Sequence, residues 1–217
     1  MNSSAFTVFL IEDDPGVMKG LSRMLEAHGY DVQKFAGARP FLEQHPAFER
    51  GCAIVDYSLP DLDGLALQTK MAEEGVACPV IFMSGVGNVT VSVNAMKAGA
   101  IDFLTKPIKS QDLLAAVSRA SAMESQRRER QIEVADINDH VALLTTREKE
   151  VLTCVIAGLL NKQIAAQLNI SEKTVKLHRG RMMRKMGVRS VADLVRVTER
   201  VGIVPPRMTA AGRGIPS

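Results

Sequence analysis

The sequence predicts an α/β domain built on a five-stranded parallel sheet, followed by an all-α domain of four helices. Short apolar runs alternate with helically spaced segments over residues 1–120, and the pattern is wholly helical from Thr145 onward. The charge also divides, since residues 1–120 hold 14 Asp/Glu and 10 Lys/Arg, whereas residues 121–217 hold 10 and 17. Such asymmetry suggests an acidic module joined to a basic one that meets nucleic acid, although a solvated surface can be equally basic.

Five βα units account for the first module. The β-rich runs lie at 6–11, 31–35, 52–55, 79–83 and 101–104, and the helical stretches lie near 16–28, 38–45, 64–74, 88–98 and 110–122. Such alternation predicts a parallel sheet with helices on both faces. Because the runs are continuously apolar, both faces of each strand are expected to be buried.

Capping residues mark the four helix starts of the second module. They are Thr145 with Glu148, Asn161, Ser171, and Ser190 with Asp193. The joining segment is polar and holds no Gly or Pro, so the preceding helix is expected to run on as a solvated linker. The predicted division is 1–122, a linker at 123–140, a helical domain at 141–203 and a disordered tail at 204–217.

The composition excludes several classes of protein. With 46% apolar and 24% charged residues, the chain is typical of a soluble globular protein. It has no window of 18 consecutive apolar residues and no N-terminal secretion signal. Cys52, Cys78 and Cys154 are odd in number and widely spaced, which favours reduced thiols in a cytosolic protein.

Polar side chains follow four of the predicted strands. They are Glu12 and Asp13 after the first, Asp56 after the third, Ser84 after the fourth and Lys106 after the fifth. Because ligands gather at the carboxyl ends of parallel strands, these five residues should meet in one cleft. Three carboxylates bring a charge of −3, which one divalent cation and the Lys106 ammonium balance. Hard oxygen ligands with room for water suit Mg²⁺.

Asp56 is the expected phosphoryl acceptor in this cleft, because an aspartyl carboxylate can act as a nucleophile and form an acyl phosphate. Mg²⁺, Lys106 and the Ser84 hydroxyl would then bind the phosphoryl oxygens. Asp14 is interpreted as the N-terminal residue of a helix and not as a metal ligand. The stretch Asp61-Leu62-Asp63-Gly64 is interpreted as a turn before the third helix, and Lys106-Pro107 is a candidate cis peptide bond.

The pattern Glu12-Asp13, Asp56, Ser84-Gly85 and Phe103-Leu104-Thr105-Lys106-Pro107 resembles the receiver domain of two-component response regulators, over roughly residues 5–125. The resemblance implies a flavodoxin-like fold, a sensor histidine kinase as phosphoryl donor, and the main-chain carbonyl of Ser58 as a further Mg²⁺ ligand. It also implies that Ser84 and Phe103 form a switch pair. Two departures are mild: the first acid is Glu where many members have Asp, and the ring at 103 lacks a phenol hydroxyl.

The most basic predicted helix is SEKTVKLHRGRMMRKM, residues 171–186. One of its faces carries Lys173, Lys176, Leu177, Gly180 and Arg184, and Val175, Met182 and Met186 form the core face. A basic stripe behind a short helix and a tight turn predicts a helix-turn-helix recognition helix. The expected DNA-contacting residues are Lys162, Lys173, Thr174, Lys176, Leu177, His178, Arg179, Gly180, Arg181 and Arg184.

Individual roles follow from side-chain chemistry. Lys173, Arg179, Arg181 and Lys185 should hold phosphates, Lys176 should reach guanine O6/N7, and Leu177 should contact a thymine methyl. His178 fits either a core-edge position or a phosphate contact. Gly180 costs roughly 1 kcal/mol inside a helix, and either close approach to DNA or simple tolerance explains it.

The segment LTTREKEVL…NKQIAAQLNISEKTVKLHRGRMMRKMGV, with Ser190-Val191-Ala192-Asp193-Leu194, resembles the DNA-binding domain of the NarL/FixJ/LuxR type over about 143–203. The resemblance implies a cytoplasmic, phosphorylation-activated transcription factor that is not a metabolic enzyme and that binds double-stranded promoter DNA as a homodimer. RNA polymerase is a further candidate partner. Candidate dimer contacts are Leu194, Val195 and Val201 in the last helix, and the surface of helix 4, strand 5 and helix 5, with Val91 and Ala95 as outer positions of helix 4.

Two other functions fit parts of the sequence. A Mg²⁺-dependent phosphohydrolase with an aspartyl nucleophile usually carries a second acid two residues further on, where this chain has Ser58, and no substrate cap is evident. A quorum-sensing regulator would need an aromatic-lined pocket for a small apolar signal, and the chain has no Trp and only two Tyr.

Overall fold

A computed structural model of the chain describes residues 6–44, 50–85 and 89–205, so the predicted tail lies outside the described residues beyond position 205. The chain divides into two compact units, Met1–Arg128 and Glu129–Ser217. The elements of the first unit are β1 (Thr7–Ile11), α1 (Pro15–Ala27), β2 (Asp31–Phe35), α2 (Ala38–Gln44), β3 (Gly51–Asp56), α3 (Gly64–Glu73), β4 (Val80–Ser84), α4 (Val89–Lys97), β5 (Asp102–Thr105) and the beginning of α5 (Ser110–Ala142).

The five strands form one parallel sheet in the order β2-β1-β3-β4-β5. Alternate residues of β1 enter two separate cores, because successive side chains of a strand point to opposite faces. Phe9 and Ile11 pack in one core, whereas Val8 and Leu10 pack with Leu113 of α5 in the other. The predicted parallel sheet with two covered faces is therefore confirmed.

The expectation of complete burial is wrong for the edge strand β2. Its sequence, DVQKF, has three exposed residues among five, whereas all six residues of β3 are buried. An edge strand pairs on one side only and is covered less completely than a central strand. The apolar pattern thus identifies the middle of the sheet better than its edge.

Helix α5 is 33 residues long and continues through the polar segment without a break. Leu113 and Ala116 belong to a core of the first unit, and Ile137 belongs to the core of the second. The division between the units falls inside this helix, after Arg128. No helix among the described residues is both long enough and apolar enough to cross a bilayer.

The second unit continues with α6 (Thr146–Ile156), α7 (Asn161–Leu168), α8 (Glu172–Lys185) and α9 (Val191–Arg200). Its core includes Val151, Leu152, Ile164, Val175, Met182 and Leu194. The predicted caps at Thr145, Ser171 and Ser190 are confirmed, and Thr145 and Glu148 form a complete capping box.

The cap predicted at Asn161 is wrong. Leu160 occupies the N-cap position of α7, and its backbone N–H donates to Oε1 of Gln163 at 2.8 Å. A glutamine three residues into a helix can thus satisfy the cap backbone although the cap residue itself is apolar.

Candidate functional site

Side chains from three strand ends meet at the carboxyl edge of the sheet. Lys106, just after β5, donates from Nζ to Oε2 of Glu12 at 2.7 Å and to Oδ2 of Asp56 at 2.6 Å. Its backbone N–H donates to the carbonyl of Ser84, at the end of β4, at 2.8 Å. The sheet therefore brings together residues separated by as many as 94 positions in the sequence.

Burial makes this cluster electrostatically unusual. Glu12 is fully buried, and that burial raises the pKa of its carboxyl, although the hydrogen bond from Lys106 acts in the opposite direction. Burial lowers the pKa of the Lys106 ammonium, but the hydrogen bonds to Asp56 and Glu12 outweigh it, so the pKa is raised overall. The ammonium is therefore held charged between the two carboxylates.

The donor set fits a hard divalent cation. Carboxylate oxygens of Glu12, Asp13 and Asp56 lie within 4.8 Å of one another, and Asp13 is exposed to solvent. Lys106 neutralises one of the three charges, which leaves a net −2 at one point of the sheet edge. All the ligand atoms are oxygens and one side of the cluster is open, as Mg²⁺ requires when it keeps part of its water shell.

Asp56 is the last residue of β3, and the loop that follows fixes the orientation of its carboxylate. Oδ1 of Asp56 accepts a hydrogen bond from the backbone N–H of Ser58 at 2.9 Å, while Oδ2 is bound to Lys106. Asp56 is buried, but 7% of its surface is accessible, whereas Glu12 is completely buried. Ser84 is buried at the end of β4, and Phe103 is half-buried on β5.

The exposed face of α8 carries the basic stripe. Lys173, Lys176, Gly180, Arg181 and Arg184 are exposed, as is Leu177, of which 50% is accessible. Val175, Met182 and Met186 are buried, which confirms the predicted core face. Lys162, at the beginning of α7, is also exposed, whereas Thr174 and His178 are half-buried.

Two parts of the chain match two families of known proteins. Residues 8–118 match the response regulator receiver domain, and residues 142–198 match the bacterial regulatory proteins of the luxR family. This chain belongs to the NarL/FixJ family of response regulators.

Relatives match this response regulator along nearly their whole length. The response regulator protein TmoT of Ectopseudomonas mendocina is 42% identical over 93% of this chain and 91% of its own. The transcriptional regulatory protein FixJ of Bradyrhizobium diazoefficiens is 35% identical over 91% and 96%. The solved structure of the response regulator StyR superposes with a TM-score of 0.80 at 38% identity, covering 91% of this chain and all of that one.

Neighbouring acidic residues of the regulator have structural roles. Asp14 caps α1, since its Oδ1 accepts from the N–H groups of Gly16 and Val17 at 2.7 and 2.9 Å, and these bonds lower the pKa of its carboxyl. Asp63 caps α3 through the N–H of Ala66. Neither carboxylate belongs to the three-acid cluster, in agreement with the interpretation from sequence.

Two sets of contacts in the loop after β3 were not predicted from the sequence. Asp61 accepts from the N–H groups of Ala38 and Arg39, so the loop after β3 is tied to the beginning of α2. The ring of Tyr57, next to Asp56, packs edge-to-face against Phe103 with centroids 6.3 Å apart. An aromatic residue directly after the acceptor was the available signal, but its contact with β5 depends on strand order.

Two surface predictions are corrected by burial. Ala95 is fully buried and does not lie on the outside of α4, where Val93 and Met96 are exposed instead. Leu194 is fully buried in the core of the second unit, so it is not available as a dimer contact. A helix of nine residues leaves the phase of its apolar face poorly determined, which explains the error at Ala95.

Two basic residues of α8 are bound within the protein. Lys185 Nζ donates to Oε2 of Glu148 at 2.6 Å and to the carbonyl of Leu143 at 3.0 Å. Arg179 Nη1 donates to Oδ1 of Asn161 at 2.9 Å, which joins α8 to α7. Charge counting alone could not distinguish these side chains from the exposed ones.

Proposed function

We propose that this response regulator accepts a phosphoryl group on Asp56 from a sensor histidine kinase and thereby gains affinity for promoter DNA. The main support for this proposal is the position of the Asp56 carboxylate. It is held between the Lys106 ammonium and the N–H of Ser58 at the edge of an acidic cluster. Asp56 retains 7% exposure and its neighbour in the cluster, Asp13, is exposed, so a donor can approach from that side. The two family matches support this combination of a phosphoacceptor and a DNA-binding unit.

The transfer itself is a displacement at phosphorus. A carboxylate oxygen of Asp56 forms the new O–P bond, the N–P bond to the kinase histidine breaks, and its electron pair stays on that nitrogen. Lys106 and the Ser84 hydroxyl donate hydrogen bonds to phosphoryl oxygens. Glu12, Asp13, Asp56 and the carbonyl of Ser58 would hold Mg²⁺, which supplies neutralisation of the phosphoryl charge when it is bound. Water later breaks the acyl phosphate and releases inorganic phosphate.

Labelling by acetyl phosphate in the presence of Mg²⁺ tests the acceptor directly. We expect one acyl phosphate per chain, abolished in Asp56→Asn and prevented by EDTA. Asp63→Asn is the matched control, because it removes a carboxylate from the same loop while asparagine still caps α3. Label that persists undiminished in Asp56→Asn would refute the assignment.

The switch is proposed to run through Ser84 and Phe103. When the Ser84 hydroxyl turns towards the phosphoryl group, the Phe103 ring moves inward along Tyr57, which it already contacts. This repacking changes the surface formed by α4, β5 and α5, where Val93 and Met96 are exposed and Arg119 pairs with Asp102. We propose that the changed surface forms a dimer. The switch needs the phosphoryl group to stabilise one state over the other by only a few kcal/mol.

Sedimentation of the protein with and without beryllofluoride, which stands in for the phosphoryl group, tests the dimer. We expect a monomer to become a dimer at tens of micromolar protein. A chain that stays monomeric in both conditions, while still gaining DNA affinity, would refute dimerisation as the switch. Relief of an inhibitory contact between the units would then be the better explanation.

The DNA-binding role is proposed for residues 141–203, joined by a linker at 123–140 to the receiver at 1–122. Phosphates would be held by Lys162, Lys173, Thr174, His178, Arg179, Arg181 and Arg184, and bases would be read by Lys176 and Leu177. The exposure of the stripe on α8 supports this assignment. A protein with this role acts in the cytoplasm and has no metabolic substrate.

A further inference from the structure

We propose that Gly180 determines sequence specificity, because its missing side chain lets the backbone of α8 approach the base edges closely. The inference rests on the proposed DNA-binding function and adds to it a residue that works by being small. Gly180 carries no donor, acceptor or charge on its side chain, so it would act only through the space that it leaves open.

Nothing among the residues that the structure describes requires glycine at this position. Gly180 lies in the interior of the 14-residue helix α8, and a Cβ built on it would meet no atom within 4 Å. Six other described glycines have positive φ and follow helix ends, but Gly180 is not among them. Glycine is the least favourable residue in a helix interior apart from proline. The protein therefore carries an unfavourable residue at a site where its own fold would accept alanine.

The position of Gly180 on the helix suggests what does require it. Lys176 and Arg184 lie four residues before and after it, and Leu177 lies three residues before, so all share its face. This face is opposite the buried residues Val175 and Met182. Gly180 is thus at the middle of the exposed basic stripe, where a docked duplex would come closest to the helix axis.

An α-helix fits tightly into the major groove of DNA, so the space that Gly180 leaves open matters there. An α-helix with its side chains is about 10–12 Å across and the major groove is about 12 Å wide. A residue without Cβ at the centre of the contact lets base edges reach the level of the helix backbone. A side chain there would move the helix outward, which breaks short contacts to bases, whereas long Lys and Arg side chains can still reach phosphates.

Gly180→Ala in the full chain tests this inference, with Gly20→Ala as the matched control. Gly20 is also an exposed glycine inside a helix, α1, and a Cβ there would meet nothing within 4 Å. Binding is measured to a duplex selected by the wild-type protein from a random library, and to a duplex of random sequence, over a range of salt concentrations. Thermal unfolding is followed for each variant.

We expect Gly180→Ala to raise the unfolding temperature of its unit by about 4 °C. It should lose at least tenfold in affinity for the selected duplex but less than twofold for the random one, with an unchanged salt slope. Gly20→Ala should gain thermal stability and keep both affinities.

Equal affinity of Gly180→Ala and wild type for the selected duplex would overturn the inference, and so would an equal loss on both duplexes. If the wild type binds no DNA even at low salt, the proposed function itself fails. That outcome is distinct from a wild type that binds and a variant that is unaffected.

Discussion

The acidic cluster and the basic face of α8 are built in opposite ways. Glu12, Asp56 and Lys106 come from distant segments, are largely buried, and satisfy one another within hydrogen-bond distance. The exposed residues of α8 come from one continuous stretch, and the stripe faces solvent. The first arrangement is electrostatically crowded before any ligand arrives, whereas the second presents charge outward to a partner.

Mutations in the acidic cluster and in the exposed stripe should therefore have different effects. Removing a cation from the acidic cluster leaves carboxylates buried without compensation, so the fold itself should suffer. Removing a cation from the exposed stripe should leave the fold intact and change only binding. Lys185 is an informative exception, because it belongs to the basic helix but is bound to Glu148 as Lys106 is bound to Glu12.

The largest effect on stability is expected for Lys106→Met. Fully buried Glu12 would lose its cation, and we expect the free energy of unfolding to fall by about 3 kcal/mol in metal-free buffer. Added Mg²⁺ should restore more stability to this variant than to wild type, because it then provides the missing positive charge. Urea unfolding with and without MgCl₂ measures both quantities.

Lys34→Met is the control for that experiment. Lys34 forms an ion pair with Glu26 at 3.1 Å, but both side chains are nearly half exposed. Its loss should cost less than about 1 kcal/mol and should not respond to Mg²⁺. If Lys106→Met and Lys34→Met lower the free energy of unfolding by similar amounts, then burial of the acidic cluster is not the reason for the large effect expected at Lys106.

Glu148 in the second unit is expected to contribute about 2 kcal/mol to the free energy of unfolding, in a way that depends on pH. The hydrogen bond from Lys185, followed by that from Thr145, lowers the pKa of Glu148 from 4.5 to about 2. Because the folded pKa is the lower one, this contribution is complete above pH 4.5 and is lost as the pH falls towards 2. Glu148→Gln should remove that part of the pH dependence, as measured by urea unfolding between these values.

Glutamine at position 148 can still accept from the backbone N–H of Thr145, so the variant removes the charge and keeps the cap. Glu150→Gln is the matched control, because Glu150 pairs with Arg147 at an exposed site. If the free energy of unfolding of Glu148→Gln changes with pH as steeply as that of wild type, the role given to the ion pair with Lys185 would be contradicted.

Substitutions on the exposed stripe should alter binding without altering stability. Lys176→Ala should reduce discrimination at one base pair by about 1–2 kcal/mol. Arg181→Ala should weaken binding to all sequences alike and reduce the salt slope by about 1. Competition binding with single-base variants of a selected duplex distinguishes the loss of base discrimination in Lys176→Ala from the general loss of affinity in Arg181→Ala. Loss of stability in either variant would break the contrast between the exposed stripe and the acidic cluster.

Much of the acidic site follows from the sequence, because strands that all run in the same direction end at one edge of the sheet. Glu12, Asp56 and Lys106 were predicted to meet for that reason and do so. The contact of Tyr57 with Phe103 was not predicted, since it depends on how the loop after β3 packs against β5 and not on periodicity.

On α8, helical spacing correctly separates the exposed face from the buried one. It could not predict that Lys185 would find Glu148, because that ion pair joins residues 37 positions apart. Long-range side-chain pairing is the information that a local pattern lacks.

Phosphorylation of the acidic cluster is proposed to control DNA binding by the basic helix. This coupling is tested by the affinity for a selected duplex, measured for the full chain with and without beryllofluoride and Mg²⁺, with Asp56→Asn in parallel. We expect beryllofluoride to tighten binding at least tenfold in wild type and to leave Asp56→Asn unchanged. Equal affinity of the wild type in the two states, or an equal response from Asp56→Asn, would contradict the claim.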